Sequence, residues 1–333
     1  MSKLLETIRS LPKAELHLHI EGTLEPAMLM QLAEKHGVEL PYSSVEDVER
    51  AYDFDDLQSF LDLYYLGAGV LIDEEDFYAL MFAYLRRCRE DGIVHAEIMF
   101  DPQTHTDRGI EFSIFMAGFE RARQQAASEW GMSTLLIMCF LRHLPESAAQ
   151  TTLQQSLPYR DMIHAVGLDS GEVGNPPEKF SIVFAEAREL GFECVAHAGE
   201  EGAPAYIWGA LDTLEVSRID HGVRCTEDPE LVERLVREQM PLTVCPLSNV
   251  RLRVFDTMAD HNILTLLSQG LNVCVNSDDP PYFGGYLMDN FAAIESALGL
   301  DIDQARHLAA NSIRSSFLPV ARKEELLQQV LNS

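Results

Sequence analysis

The sequence predicts an α/β fold, a (β/α)8 TIM barrel with a helical insertion after the first strand. Short apolar runs that end in polar residues recur along the chain, and each is followed by a longer stretch with helical periodicity. Near-continuous apolar strands that alternate with helices are typical of a parallel sheet covered on both faces. Eight such runs indicate closure into a barrel: 14–22, 93–102, 134–142, 163–172, 192–200, 217–224, 241–249 and 271–280.

The segments between these runs are amphipathic and long enough for crossover helices, as in 75–92 and 228–239. The stretch 23–75 is longer than one helix requires, which predicts the helical insertion. Its aromatic and acidic residues suit either a cover over the barrel mouth or a purely structural layer. No linker or low-complexity tract divides the chain, so we expect residues 1–333 to form one domain.

Composition and charge narrow the class of protein. The chain has 333 residues, 47% hydrophobic and 23% charged, as in ordinary folded soluble proteins. With 25 basic and 53 acidic side chains, its formal net charge of −28 repels phosphate backbones and anionic lipids, so we expect no nucleic-acid or membrane partner. The cysteines form no C-x-x-C pair, and neither a signal peptide nor an apolar window of about 18 residues is present, which predicts a cytoplasmic protein.

Polar residues that end the predicted strands are the candidate reactive groups, because active sites of such barrels lie at that end. They are His17, His19 and Glu21 in the first run, His197 and Glu200 in the fifth, His221 in the sixth, and Asp278 and Asp279 in the eighth. His17 and His19 are two positions apart on a predicted strand, so both side chains project from one side, with Cα atoms roughly 6.5–7 Å apart.

Three imidazoles and one carboxylate, from His17, His19, His197 and Asp278, suit one zinc ion per chain. This set leaves a position for a water molecule, whose pKa the metal can lower to about 7. Iron(II), manganese or cobalt would tolerate the same ligands. The sequence leaves open which metal is carried and whether the chain forms a homo-oligomer.

Five motifs, in this order along nearly the whole chain, resemble those of the adenosine/adenine deaminases of the amidohydrolase superfamily. They are H-L-H-I-E-G at 17–22, L-D-S-G-E at 168–172, H-A-G-E at 197–200, D-H-G at 220–222 and S-D-D-P at 277–280. Each motif alone is a weak signal, but together they are highly specific.

The resemblance implies a role for each residue of the site. The four ligands named above would hold zinc, and Glu200 would protonate the purine ring. His221 would orient or deprotonate the attacking water, Asp279 would bind the ring at N7, and the backbone of Gly171 would face N3. Displacing an amino group from purine C6 needs a nucleophile and an acid that is still protonated at neutral pH, so we expect burial to raise the pKa of Glu200.

Glu21 bears on the choice of substrate. The adenosine-specific branch carries aspartate at this position, where the carboxylate helps to hold the ribose, and the longer glutamate would intrude on the sugar site. The sequence is therefore most similar to the adenine deaminase branch, which implies conversion of the free base adenine to hypoxanthine and ammonia in purine salvage. Adenosine or another N6-substituted purine is the alternative substrate.

Two other classes are less consistent with the sequence. A metal-dependent phosphoesterase can also carry H-x-H on its first strand, but it needs more ligands and an arginine pair for phosphate. A catalytically inactive barrel would have lost a ligand or Glu200, and none is missing.

His95 and Glu97 imitate an H-x-E zinc motif without its P-C-x-x-C partner, so we place them in the barrel interior. The remaining histidines show no paired spacing and are expected at the surface or behind the site: His36, His105, His143, His164, His261 and His307.

Overall fold

A parallel sheet of eight strands forms the centre of the structure, a computed structural model that describes residues 2–54 and 56–332. Neighbouring strands in the sheet follow the order of the chain, as the βαβ pattern predicts. The strands are β1 (Lys13–Glu15), β2 (Ile93–Phe100), β3 (Ser133–Leu141), β4 (Ile163–Asp169), β5 (Glu193–Ala198), β6 (Arg218–His221), β7 (Pro241–Val244) and β8 (Asn272–Val275).

The first and last strands meet at residues predicted to bind metal. Beyond the end of β1, Leu18 forms a parallel bridge with Asp278. The amide of His19 donates to the carbonyl oxygen of Asp278 at 3.1 Å, and the amide of Asp278 donates to that of His17 at 3.2 Å. These bonds close the sheet, so the predicted (β/α)8 TIM barrel is confirmed.

Helices surround the barrel and connect its strands. Those within the described residues are α1 (Lys3–Ser10), α2 (Pro26–His36), α3 (Val45–Ala51), α4 (Leu57–Ala68), α5 (Glu74–Asp91), α6 (Pro102–Thr106), α7 (Phe112–Trp130), α8 (Glu146–Ser156), α9 (Ser181–Glu189), α10 (Pro204–Asp212), α11 (Pro229–Glu238), α12 (Pro246–Arg251), α13 (Ile263–Ser268), α14 (Pro280–Phe283), α15 (Leu287–Leu298), α16 (Ile302–Ser315) and α17 (Val320–Asn332). Short 3-10 turns occur at Glu21–Thr23, Leu157–Tyr159, Pro177–Phe180, Val223–Glu227 and Met258–Asp260.

The helical insertion predicted within 23–75 consists of α2, α3 and α4. α4 begins at a capping box, in which the Asp56 side chain accepts from the Ser59 amide at 2.8 Å and the Asp56 amide donates to the Ser59 hydroxyl at 3.1 Å. These reciprocal bonds satisfy amides that a helix start leaves free. The helix therefore starts at a defined residue and presents one apolar face to the barrel mouth.

The barrel interior is apolar in its middle and charged nearer the N-terminal ends of the strands. The apolar layer consists of Met99, Ile137, Cys139, Ala165 and Val195, with Phe317 packed against it. Below it, Arg218 donates to the buried carboxylate of Glu97, which also lies 3.1 Å from Nε2 of His95. The interior position predicted for His95 and Glu97 is confirmed.

Several predicted strands are too long at their C-terminal ends. The run 14–22 contains the strand Lys13–Glu15, then isolated bridges at Leu18 and His19, then the turn Glu21–Thr23. β6, β7 and β8 also stop short of the predicted ends. The expectation that two histidines share one continuous strand was wrong. The apolar pattern continues past the ladder because these residues remain buried, while their backbones turn toward the site.

Within the part of the chain that the structure describes, no helix is both long enough and apolar enough to span a membrane.

Candidate active site

Donor atoms from three strand ends meet at the C-terminal end of the barrel. Nε2 of His197 lies 3.1 Å from Nε2 of His17 and 3.2 Å from Nε2 of His19. Oδ1 of Asp278 lies 3.4 Å from Nε2 of His17 and 3.6 Å from Nε2 of His19. All four residues are buried. The fold therefore brings together the four residues predicted to bind metal.

The spacing of these atoms fits one metal ion. Four ligands arranged in a tetrahedron about 2.0–2.1 Å from an ion lie roughly 3.3–3.4 Å from one another. Four of the six distances between these donor atoms, 3.1–3.6 Å, bracket that value. Buried nitrogen lone pairs that face one another without a shared cation would be unfavourable, so the arrangement is suited to a bound metal.

Thr243 and Asp220 support two of the histidines from behind. The Thr243 hydroxyl lies 3.0 Å from Nδ1 of His17 and donates to Oδ1 of Asp220 at 2.8 Å. It therefore accepts from Nδ1 of His17, which leaves a lone pair on Nε2 of that residue. Oδ2 of Asp220 lies 3.7 Å from Nδ1 of His197. A carboxylate beside the rings of ligand histidines can orient them and increase their basicity.

His221 lies between the donor cluster and Glu200. Its Nε2 is 3.8 Å from Oδ2 of Asp278 and 3.6 Å from Oε1 of Glu200. The group of four donors whose atoms all lie within 4.8 Å of one another is His17, His197, His221 and Asp278, while His19 groups within that distance with Asp278 and Asp279. Because His221 faces the outer oxygen of Asp278 and the carboxyl group of Glu200, its position suits the predicted role toward water better than that of a further ligand.

A chain of hydrogen bonds sets the proton on His221. The amide of Ile263 donates to Nδ1 of His261, so a neutral His261 carries its proton on Nε2 and donates it to Oδ1 of Asn249 at 3.2 Å. The amide nitrogen of Asn249 then lies 3.3 Å from Nδ1 of His221 and donates to it. Burial, with a smaller contribution from His17, lowers the pKa of His221 to about 3. The neutral His221 therefore carries its proton on Nε2, facing the site.

Glu200 faces the cavity, and its surroundings favour the protonated form of its carboxyl group. Burial raises the pKa of Glu200 well above its usual range, and the neighbouring Asp278 and Glu172 raise it further. The side chain lines the cavity and is only 3% exposed. A carboxyl group that keeps its proton at neutral pH can serve as a general acid, which agrees with the expectation from the sequence.

Asp279 also lines the cavity, next to Asp278. Among the described residues its Oδ1 atom has no hydrogen-bond partner, and a Cβ atom at Gly22 would lie only 1.7 Å from it. This close approach explains why glycine follows Glu21 in the first motif. Burial raises the pKa of Asp279 well above its usual range, with a further contribution from Asp278. The protonated group can donate to a ligand acceptor.

The insertion supplies an aromatic and aliphatic wall opposite these polar groups. The wall consists of Leu57, Phe60, Leu61, Tyr64 and Tyr65 of α4, together with Leu252 and Phe283. These residues and the polar groups opposite them line one cavity at the mouth of the barrel. The sequence allowed segment 23–75 to be either a cover over the barrel mouth or a purely structural layer. In the structure its helix α4 covers the mouth.

Glu21 does not line this cavity. Its side chain is completely buried, where Nε2 of His105 donates to it at 2.7 Å and the amide of Asp101 donates to it at 3.2 Å. Burial raises the pKa of Glu21 to about 7 and lowers that of His105 to about 3. The effect of Glu21 on a bound substrate, expected from the sequence, stays a prediction. His105 lies behind the site, which is one of the two places we expected for it.

Gly171 is also outside the residues that line the cavity, although Ser170 beside it is among them. The Gly171 carbonyl oxygen accepts from Nδ2 of Asn175 at 3.0 Å. A Cβ atom at this glycine would meet nothing within 4 Å, so its backbone borders open space. A contact between this backbone and N3 of a purine ring is therefore sterically possible, and it stays a prediction.

Two carboxylates on the His19 side of the cavity were not predicted from the sequence. Asp101 and Asp169 line the cavity, and Oδ2 of Asp169 lies 3.4 Å from Nδ1 of His19. Both follow the rule used above, since Asp169 ends β4 and Asp101 directly follows β2. Tyr64, which donates to Oδ2 of Asp101 at 2.9 Å, gave no comparable signal because it lies in the middle of a helix.

An eight-stranded parallel barrel with clustered histidine and aspartate donors at its strand ends defines an α/β-barrel enzyme with a site that could hold a metal ion. The chain belongs to the adenosine deaminase family, whose model matches residues 12–333. The resemblance seen in the motifs is thereby confirmed.

Relatives of high identity carry one name. The chain is 57% identical over 323 residues to an adenine deaminase of Hahella chejuensis, covering 97% of each protein. It is 61% identical over 306 residues to an adenine deaminase of Bordetella parapertussis, covering 92% of this chain and 96% of the relative. The crystal structure of an adenine deaminase from Arthrobacter aurescens has 53% identity and a TM-score of 0.95, covering 97% of this chain and 98% of that one.

A more distant structure shares the fold. An amidohydrolase from Burkholderia ambifaria, crystallised with bound zinc, matches with a TM-score of 0.89 at 22% identity, covering all of this chain and 96% of that protein.

Proposed function

We propose that this protein is a zinc-dependent hydrolase that converts adenine to hypoxanthine and ammonia. The observation that carries the proposal is the convergence of Glu200 and His221, 3.6 Å apart, beside the cluster of metal donors. Hydrolytic removal of an amino group from a ring requires an acid, a neutral imidazole and a metal site close together. The names of relatives at 53–61% identity over nearly the whole chain support adenine as the substrate.

His17, His19, His197 and Asp278 would hold the ion. When bound there, zinc makes water a nucleophile at neutral pH by lowering its pKa. The Nε2–H group of His221 is placed to hold the attacking oxygen in position, because its Nδ1 atom already accepts from Asn249. Of the two roles expected for His221, orienting the water is thus favoured over deprotonating it.

Glu200 would deliver its proton to N1 of the purine ring. Protonation at N1 draws electrons from C6, which is otherwise too electron-rich for attack. Asp279 would donate from its protonated carboxyl group to N7, and the apolar wall of α4 would pack on the ring and exclude water. These two donors would fix which ring carbon faces the nucleophile.

The environment of Glu21 supports the free base as the substrate over its nucleoside. A carboxylate that held a ribose would need free acceptor positions facing the cavity. Here Oε1 of Glu21 accepts from His105 and from the amide of Asp101. Its other oxygen lies 3.4 Å from the hydroxyl of Tyr64, which lines the cavity and donates to Asp101. These contacts leave Glu21 committed to the protein's own groups, which supports the free base as the substrate.

The test compares ammonia release from adenine and from adenosine by the purified, zinc-loaded protein, with hypoxanthine identified chromatographically. We expect turnover of adenine and a kcat/KM for adenosine at least a thousandfold lower. Turnover of adenosine without turnover of adenine would overturn the choice of substrate. Two or more tightly held metal ions per chain, with phosphatase activity, would instead favour the phosphoesterase class.

We place the reaction in purine salvage in the cytoplasm. All six cysteines are buried and unpaired, as expected for a protein of a reducing compartment.

A further inference from the structure

One buried carboxylate outside the donor cluster binds the loop that carries Glu200. Oε1 of Glu172 accepts from the amide of Gly199 at 2.7 Å. Its other oxygen, Oε2, accepts from the amides of Glu200, Glu201 and Gly202 at 3.1, 2.9 and 2.7 Å. Four successive amides thus point at one side chain, and Glu172 is completely buried.

The loop approaches Glu172 so closely that it excludes a side chain at Gly202. A Cβ atom there would lie 2.5 Å from Oε1 of Glu172. Bonds from backbone amides to a charged carboxylate are among the stronger hydrogen bonds in proteins, and burial strengthens them further. The backbone on both sides of Glu200 is consequently fixed relative to β4, the strand that Glu172 follows.

The segment that carries Glu172 is itself anchored. The Asn175 amide donates to the Glu172 carbonyl oxygen at 3.0 Å, and Nζ of Lys179 donates to Oδ1 of Asn175 at 3.0 Å. The buried guanidinium of Arg142 donates to the carbonyl oxygens of Asn175 at 2.9 Å and His197 at 2.7 Å. The Arg142 guanidinium thus connects the segment that carries Glu172 to the end of β5.

We propose that Glu172 is the positioning residue for the general acid: by binding four amides of residues 199–202, it holds the Glu200 carboxyl group at the reacting atoms. The inference rests on the function proposed above. Glu172 acts through Glu200 and does not line the cavity itself. Its negative charge also helps to keep Glu200 protonated, which is consistent with the raised pKa of that group.

The decisive variant is Glu172→Gln, which keeps the shape of the side chain. An amide has one oxygen, so its NH2 group must face at least one N–H donor, and the loop shifts. We expect kcat for adenine to fall about a hundredfold, because small misplacements of a reacting group have effects of that size. We expect KM to change less than threefold and zinc content to stay at one ion per chain.

Glu146→Gln is the matched control. Glu146 also accepts from consecutive amides, those of Ile182 at 2.7 Å and Val183 at 3.1 Å, but it does not line the cavity. This variant should keep kcat, because the oxygen of glutamine can still accept from both amides. An unchanged kcat in Glu172→Gln, or a fall accompanied by loss of zinc, would overturn the positioning role.

A double-mutant cycle separates positioning from a general structural effect. In a Glu200→Gln background, adding Glu172→Gln should lower the residual turnover less than threefold, because the acid that Glu172 positions is already absent. A further hundredfold loss would show that Glu172 acts elsewhere.

Amide hydrogen exchange gives a readout that is independent of turnover. In the unaltered protein the amides of residues 199–202 should exchange as slowly as those of β5, and rapid exchange would contradict the inference even if Glu172→Gln does not fold. If the unaltered protein does not deaminate adenine, the proposed function fails. If the protein does not deaminate adenine but these amides exchange slowly, Glu172 still fixes the loop of residues 199–202. Failure of the proposed function can therefore be distinguished from failure of the positioning role.

Discussion

Nε2 of His17 and Nε2 of His197 lie 3.1 Å apart, although 180 positions separate the two residues in the chain. Thr243 accepts from Nδ1 of His17, so Nε2 of that ring presents a lone pair to its neighbour. Asp220 approaches Nδ1 of His197 on the far side of that ring. Nδ1 of the first ring is hydrogen bonded and Nδ1 of the second faces a carboxylate, so the two Nε2 atoms are directed at a common point, a geometry suited to a metal ion.

Replacement of His17 by alanine should abolish both metal content and activity, because three ligands of this set remain. We expect less than one tenth of a zinc ion per chain by atomic emission, against one in the unaltered protein. Chelation of the unaltered protein should remove activity, and added zinc should restore it. His307→Ala, at an exposed position, serves as the control and should retain both. Full zinc content in His17→Ala would remove this residue from the ligand set.

Asp220→Asn should weaken metal binding without removing a ligand. The substitution takes away the carboxylate charge next to His17 and His197, and such partners typically change metal affinity 10–100-fold. Competition with a chromogenic chelator measures the change. Asp62→Asn, on the exposed side of α4, should leave the affinity unaltered. Equal affinities in the two variants would mean that Asp220 does not support the site.

Glu200→Gln should keep the metal and lose nearly all turnover, since an amide cannot deliver a proton to the ring. We expect kcat to fall by about 10²–10⁴, the usual contribution of a general acid. Steady-state kinetics and metal analysis on the same preparation give both quantities. Glu193→Gln, at the exposed opposite end of β5, is the control and should retain kcat. A Glu200→Gln protein with unaltered kcat would exclude this residue as the acid.

Glu21→Asp alone should not create activity on adenosine. The shorter side chain would lose contact with His105 or the Asp101 amide, leaving buried polar groups unpaired. The expected loss of unfolding free energy is about 1–3 kcal/mol. Kinetics with adenosine and urea denaturation measure the two effects. Efficient turnover of adenosine by this single variant would show that residue 21 controls access of the sugar directly.

His261 should make stability depend on pH below neutrality. Burial lowers its pKa to about 4, from an ordinary value of 6.5, so the unfolded chain binds more protons between these two values. Its stabilising contribution is therefore complete above about pH 6.5 and is lost as the pH falls toward 4, to an extent of about 3 kcal/mol.

Urea denaturation of the unaltered protein and of His261→Gln, at pH 7.5 and pH 5, checks this. The difference in unfolding free energy between the two proteins should shrink at pH 5. A difference that is the same at both pH values would show that the folded protein does not hold His261 neutral.

Much of the site could be predicted because it follows local rules. Polar residues that end apolar runs must lie at one end of a parallel barrel, so His17, His197 and Asp278 could be grouped without knowing any contact. The same rule would have found Asp101 and Asp169, which end or follow strands, had it been applied to every run.

Other features depend on packing between distant segments. Glu21 has the same place in the motif whether it faces a ligand or the protein, and only the positions of His105 and Asp101 decide between the two. The apparent strand through His17 and His19 was extended too far because buried residues keep an apolar pattern even where the backbone leaves the ladder.

The sequence by itself determined the order of strands and predicted the donor set and the acid, since each depends on residue type and on spacing along the chain. The tertiary structure decided which side chains stand behind the donors, that α4 covers the mouth, and that Glu172 binds the loop of Glu200. The reason is physical: burial and hydrogen bonding depend on neighbours in space, and residues far apart in the chain become neighbours only once the barrel closes.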